Sequence, residues 1–395
     1  MRWATLSSRV SRDALLLALV LVASGCGGRH AKVQVKPSSS LADAPIEMQA
    51  SGFPKRAQVS VVLTSADAAL TTWAARVNLT TDDHGGVRVP MIAFTHMLPT
   101  TSTLATEYKW NGASPLRFRL SVTRGDVAAT TSFDRRLLGA PVATKHLAVA
   151  ADGLEGTFFA PSGAHRHPAI LLFGGSEGGL SAYVTRIGLV LAGHGYPVLS
   201  VAYFAAPGLP QELSNVPLAY FARGLRWLAA QPEVDGRRLV AFGISRGSEA
   251  AQLVGAYYPT LVHAVVASVP GNLVGHCWGG KCTGSAWSFH AKPLPQFEPI
   301  PVERIAGPML ALCATKDTIW PSCPQAKAIM ARRRAHYLGA NDMLLVANGA
   351  GHFVSASIAY WIYAPNLNNT EADADAREAA RTWPELLRFL ARATA

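Results

Sequence analysis

Arg238-Leu239-Val240-Ala241-Phe242 runs straight into Gly243-Ile244-Ser245-Arg246-Gly247, and a helix-compatible stretch follows. In a strand-turn-helix setting, Gly-x-Ser-x-Gly forces the serine onto a sharp turn with its hydroxyl exposed. A hydroxyl is a poor nucleophile near neutral pH. It needs a base within hydrogen-bond reach, and that base needs an orienting acid. The pentapeptide alone is weak, because chance produces it roughly 0.1–0.2 times in a chain of this length. Its strand context and distant partners carry the reading.

After such an elbow the expected chain order is serine, acid, histidine. Asp317 stands just past an apolar strand that ends at Ala314. His352 stands past another that ends at Ala347, in Asn348-Gly349-Ala350-Gly351-His352. All three would meet at one edge of a sheet. Asp342 is the rival acid, but it precedes the last strand. Five residues at about 3.3 Å each would leave it roughly 16 Å from that edge. His263, His276, His290 and His336 lack the glycine-rich setting after a strand and read as solvated or structural imidazoles. For the developing oxyanion, the N–H of Arg246 is one expected donor. The other comes from Gly174-Gly175-Ser176-Glu177-Gly178-Gly179, with Ser176 favoured and Glu177 the alternative. That loop lacks the Gly-Lys-Ser/Thr ending of a phosphate loop and the spacing of a dinucleotide fingerprint.

The elements that must position these groups follow from periodicity. Residues 51–145 hold short alternating stretches separated by turn signals such as Asp83-His84-Gly85-Gly86, which predicts an antiparallel, Ig-like β-sandwich. Residues 146–395 alternate buried strands with helices. This predicts an α/β domain with a mostly parallel sheet covered on both faces and its site at the carboxyl ends of the strands. The closing helix, Ala372 to Ala393, is expected to break near Pro384.

Length and composition fit a large globular chain: 395 residues, 49% hydrophobic, 15% charged. The net charge is +11. A basic surface suits anionic substrates or lipid headgroups, but no Lys/Arg block or aromatic-basic interleaving points to nucleic acid. Residues 1–25 read as a signal peptide, with Arg2, Arg9 and Arg12 ahead of an apolar run too short to span a bilayer comfortably. Ala23-Ser24-Gly25-Cys26 resembles a bacterial lipobox, with Ala23 where leucine is usual. The expectation is an exported lipoprotein, anchored to the membrane through lipidated Cys26 and facing the periplasm or cell exterior. Polar residues 26–50 would be its tether. Export puts Cys277, Cys282, Cys313 and Cys323 in an oxidising compartment. Of the three possible pairings, the local ones, Cys277–Cys282 and Cys313–Cys323, are preferred. No spacing suggests a metal, and no cofactor is called for.

Several segments together resemble the acyl-CoA thioesterase / bile acid-CoA:amino acid N-acyltransferase family. They are Gly153 to Pro161, Gly174 to Gly179, Gly243 to Glu249, Asp317 to Ser322 and Ala350-Gly351-His352. The resemblance spans about residues 50–395 and is looser in the sandwich. It implies a β-sandwich ahead of an α/β-hydrolase domain, with Ser245 as nucleophile, Asp317 as acid and His352 as base. Amidating members tend to carry cysteine at the nucleophile, so Ser245 favours transfer to water. The expected substrate is an acyl thioester or related ester. Export departs from the resemblance, because coenzyme A thioesters belong to the cytoplasm. Trp278 and Trp287, in the long connection 271–303, are expected to line an acyl pocket. The alternatives are an acyltransferase using an amine such as glycine or taurine, and a non-catalytic envelope binding protein.

Overall fold

The alternation read at 58–63, 73–79, 117–123 and 127–133 becomes four strands of one antiparallel ladder: Gln58–Ala66, Thr72–Thr80, Leu116–Arg124 and Val127–Arg136. In Gln58–Ala66 every second side chain is buried, as a half-buried strand requires. We describe a computed structural model of the chain, covering residues 30–101, 107–163, 165–362 and 371–395. The expected signal peptide and Cys26 lie outside these described residues. The ladder belongs to a six-stranded sheet that faces a three-stranded one, Lys32–Lys36, Glu47–Ser51 and Val87–Val89. Their shared core holds Met48, Phe53, Trp73, Phe94, Phe118 and Phe133.

The tether reading of 26–50 is corrected from residue 30 onward. Val33/Val35 and Met48/Ala50 alternate within short strands, and Met48 and Ala50 are buried. Small polar neighbours hid this period in the sequence. Asp43 is also buried. Its Oδ2 accepts from Trp383 Nε1 at 2.7 Å and pairs with His194 Nε2 at 2.6 Å, tying the strand segment to the second domain.

The larger sheet has eight strands: β1 (Val142–Leu147), β2 (Glu155–Pro161), β3 (His167–Phe173), β4 (Val198–Ala202), β5 (Val234–Ile244), β6 (Ala264–Ser268), β7 (Met309–Ala314) and β8 (Met343–Ala347). Their spatial order is β1-β2-β4-β3-β5-β6-β7-β8. The β1–β2 and β2–β4 pairs are antiparallel, and every pair from β4 to β8 is parallel. The sheet therefore begins a few residues before the expected boundary at 146.

The helices longer than two turns among the described residues are α1 (Ala182–Gly193), α2 (Leu218–Ala229), α3 (Arg246–Tyr257), α4 (Ser322–Ala335) and α5 (Ala372–Ala393). Two apolar clusters lie on opposite faces of the sheet: one holds Leu171, Phe221 and Leu253, the other Ile170, Leu191 and Phe389. The central strands are apolar throughout because both faces are covered. The doubly covered α/β fold is as expected. The break at Pro384 is not: α5 is continuous through it. Burial of Trp383, Leu386, Phe389 and Leu390 on one face outweighs the lost hydrogen bond. Both preferred disulfides are present, Cys277–Cys282 and Cys313–Cys323.

Candidate active site

β5 ends at Ile244 and α3 starts at Arg246, so Ser245 alone makes the turn between them. Its backbone sits at φ 55°, ψ −122°, where a non-glycine residue is strained. Flanking glycines allow it. A Cβ on Gly243 would lie 2.0 Å from the Gly247 carbonyl oxygen, and one on Gly247 would lie 2.1 Å from that of Gly174. The Ser245 N–H donates to the Ser268 carbonyl on β6 at 2.9 Å, which fixes the turn against the sheet.

His352 follows β8 and Asp317 follows β7, both at this same edge. His352 Nε2 is 3.0 Å from Ser245 Oγ, and Nδ1 is 2.9 and 3.0 Å from the two Asp317 oxygens. An ionised carboxylate only accepts, so Nδ1 carries the proton and Nε2 is free to accept from the hydroxyl. The Asp317 side chain is 0% exposed. The Ile319 N–H donates to its Oδ1 at 3.0 Å, and the Trp320 indole, 6.0 Å from the His352 ring, donates to the Val269 carbonyl at 3.0 Å. Cys313–Cys323 closes the loop that carries the acid. Asp342 lies at the far end of the sheet, where it pairs with Arg333 at 2.6 Å and accepts from the Met309 N–H at 2.8 Å.

Burial alone would raise the Asp317 carboxyl. The His352 hydrogen bond and charge, with Ser322 and Trp320, outweigh it and hold the carboxyl below its ordinary value of 3.8. A depressed folded-state value stabilises the fold above the ordinary value, and that share is lost as pH falls through the folded-state value. Asp317→Asn should therefore melt lower than the wild type at about pH 6, with the gap narrowing as the pH falls below the ordinary carboxyl value of 3.8. Thermal melts across that range check it.

The loop after β3 supplies the rest. The Tyr203 hydroxyl bonds the carbonyls of Gly174 at 3.0 Å and Gly175 at 2.7 Å. The Gly175 N–H donates to Glu177 Oε1 at 2.8 Å and is thereby occupied. Among the described residues no acceptor takes the Ser176 N–H. The Arg246 N–H opens α3, where the first helical N–H groups have no partner within the helix. Gly175 was missed in the sequence reading. A Cβ there would lie 2.9 Å from Ser245 Cβ, so Gly175→Ala must displace the nucleophile. Small misplacements cost on the order of 100-fold in turnover. Gly175→Ala should lose about that much in kcat while keeping its melting temperature, read from kinetics and a thermal melt.

Trp287 does not line the expected pocket. Trp287 is 0% exposed, with its ring centroid 5.6 Å from that of Tyr203 and 6.1 Å from that of Phe221. It is core, because its indole N–H has a buried partner in Glu249 Oε2 at 2.8 Å. Trp278 is 52% exposed, on the loop closed by Cys277–Cys282, and its backbone pairs with Leu213. Glu249 is the second residue missed. Its Oε1 accepts from Arg246 Nη1 at 2.6 Å and its Oε2 accepts from the Gly275 N–H at 3.0 Å. The Arg246 guanidinium also donates to the His276 carbonyl. The connection 271–289 is thus fastened to the residue after the nucleophile. The signal was present in the sequence: an acid one turn beyond Ser245, in a helix otherwise packed with small and apolar residues, requires a buried partner.

The family model described as BAAT / acyl-CoA thioester hydrolase C terminal matches residues 216–277 and 287–395, which include Ser245, Asp317 and His352. Acyl-coenzyme A thioesterase 6 of Mus musculus is 29% identical over 203 residues, 46% of this chain and 48% of that protein, so that match spans about half of the relative. Acyl-coenzyme A amino acid N-acyltransferase 2 of Rattus norvegicus is 24% identical over 409 aligned residues, 89% of this chain and 96% of that protein. Among solved structures, the hyperthermophilic esterase of Pyrobaculum calidifontis superposes with a TM-score of 0.45 at 18% identity, covering 65% of this chain and 88% of that one. The family match falls on the same C-terminal sheet edge that carries the elbow, and the long alignment with the acyltransferase extends it across the sandwich. Residues 216–277 and 287–395 of the chain thus match the C-terminal model of the BAAT / acyl-CoA thioesterase family, and most of the chain is similar to an acyl-CoA amino acid N-acyltransferase.

Proposed function

We propose that the chain is a serine hydrolase that cleaves acyl thioesters or related esters through an acyl-enzyme. One observation carries the reading: the continuous hydrogen-bonded chain from Ser245 Oγ through the His352 ring to Asp317, starting at a strained turn. His352 takes the hydroxyl proton as Ser245 attacks the acyl carbonyl. The N–H groups of Arg246 and Ser176 receive the oxyanion. His352 then returns the proton to the leaving thiol or alcohol, and water repeats the sequence to free the acid. Asp317 holds the imidazole in the tautomer this needs.

Side-by-side turnover of an acyl-CoA and a simple ester by the mature protein tests the reading. Hydrolysis of either, lost in Ser245→Ala, supports it; turnover of neither sinks it. The acyltransferase reading is favoured by the long alignment with an amino acid N-acyltransferase. It predicts an N-acyl product when glycine or taurine is added. For location, we propose an exported protein anchored to the membrane through lipidated Cys26, as its first 26 residues suggest. Two disulfides suit that compartment. Intact-mass analysis of the membrane fraction, with and without Cys26→Ser, checks for the lipid.

A further inference from the structure

Glu177 is a carboxylate beside the nucleophile that the reaction does not need. It is exposed on the loop after β3. Its Oε1 accepts from the Gly175 N–H at 2.8 Å and the Tyr183 hydroxyl at 2.6 Å. Its Oε2 accepts nothing from a described residue. A Cβ placed on Gly175 would lie 3.2 Å from Glu177 Oε2 and 3.2 Å from Ser245 Oγ, so the two oxygens are no further apart than twice that distance.

At this edge Asp317 is buried behind the His352 ring and Arg246 is paired with Glu249. None of the ion pairs among the described residues includes Glu177. Its exposed carboxylate is therefore unpaired, beside the place where a substrate carbonyl must sit. That charge opposes a developing oxyanion, so it does not serve transition-state stabilisation. It acts instead on whatever charge the substrate carries there.

Resting on the hydrolase reading above, we propose that Glu177 is a specificity-determining residue. It selects thioesters and esters whose groups next to the scissile carbonyl are neutral or cationic, and it rejects those with an anionic group. A substrate charge about 8 Å away, in surroundings between water and protein, changes kcat/KM by about 3- to 30-fold. Charges well beyond about 10 Å are screened and go unread.

Three matched thioesters test this on the leaving-group side: S-butyrylthiocholine (cationic), S-butyrylmercaptoethanol (neutral) and S-butyrylmercaptoethanesulfonate (anionic), followed by thiol release. Mononitrophenyl succinate against nitrophenyl valerate tests the acyl side. In Glu177→Gln the amide oxygen still accepts from Gly175 and Tyr183, and only the charge is lost. The wild type should prefer cationic over neutral over anionic leaving groups, or the neutral valerate over the anionic succinate. Glu177→Gln should bring that series to within about 2-fold, and about 1 M salt should compress it in the wild type. An absent order in the wild type, or an order that survives in Glu177→Gln, overturns the proposal. Fluorophosphonate labelling of Ser245 is the control. Labelling without a charge order defeats this proposal alone. No labelling and no release from the neutral thioester defeats the hydrolase reading and this one with it.

Discussion

Ser245→Ala is expected to lower kcat/KM by about 10⁴- to 10⁶-fold and to abolish fluorophosphonate labelling. His352→Ala should cost about as much, because an alcohol at 3.0 Å from an imidazole nitrogen is activated only while that nitrogen can take its proton. The double variant should be scarcely worse than either single one, since groups that act as a unit are not additive. What remains should be the share supplied by the backbone donors at 176 and 246 and by binding. Steady-state kinetics on the three variants, with thermal melts to show that they fold, checks this. Independent, multiplying losses would mean the two residues act separately, and the acyl-enzyme scheme would fail.

Glu249→Ala should destabilise the protein by about 3–5 kcal/mol, because it strands a buried cation. Arg246 Nη1, the Gly275 N–H and the Trp287 indole all donate to this one carboxylate. Burial pushes the Glu249 carboxyl up, against the Arg246 charge and these bonds. The loss corresponds to a fall in melting temperature on the order of 10 °C for a domain of this size. Replacing both partners, Arg246→Met with Glu249→Met, should recover much of it, because no unpaired charge is then left behind. Differential scanning fluorimetry on the two variants tells a stranded charge from simple loss of packing. If the double variant is no better than the single, the pair is not what fastens the connection 271–289 to α3.

Much of the site was legible because its chemistry is tied to local pattern. Ser245 sits on a strand-turn-helix signature, and Asp317 and His352 each follow an apolar run ending in a turn. Strand periodicity then assigns each to a sheet edge, and Asp342 to the opposite one. The disulfides were readable because loops this short bring their ends together cheaply. Trp287 was misread. Aromatic residues on a long connection look alike in a sequence, whether their rings face a substrate or a buried carboxylate. The strands at 32–36 and 47–51 were missed because five-residue alternations among lysines and serines barely rise above a polar background.

Local propensity and burial pattern, written along the chain, settle which residues turn, which pair and which end each strand. They do not specify how closely a loop from one crossover approaches a loop from another, because that depends on side chains packing across hundreds of intervening residues. Hence the order serine, acid, histidine is a property of the polypeptide. The burial of Trp287 on Glu249 and the joining of Asp43 to Trp383 arise only when the layers close.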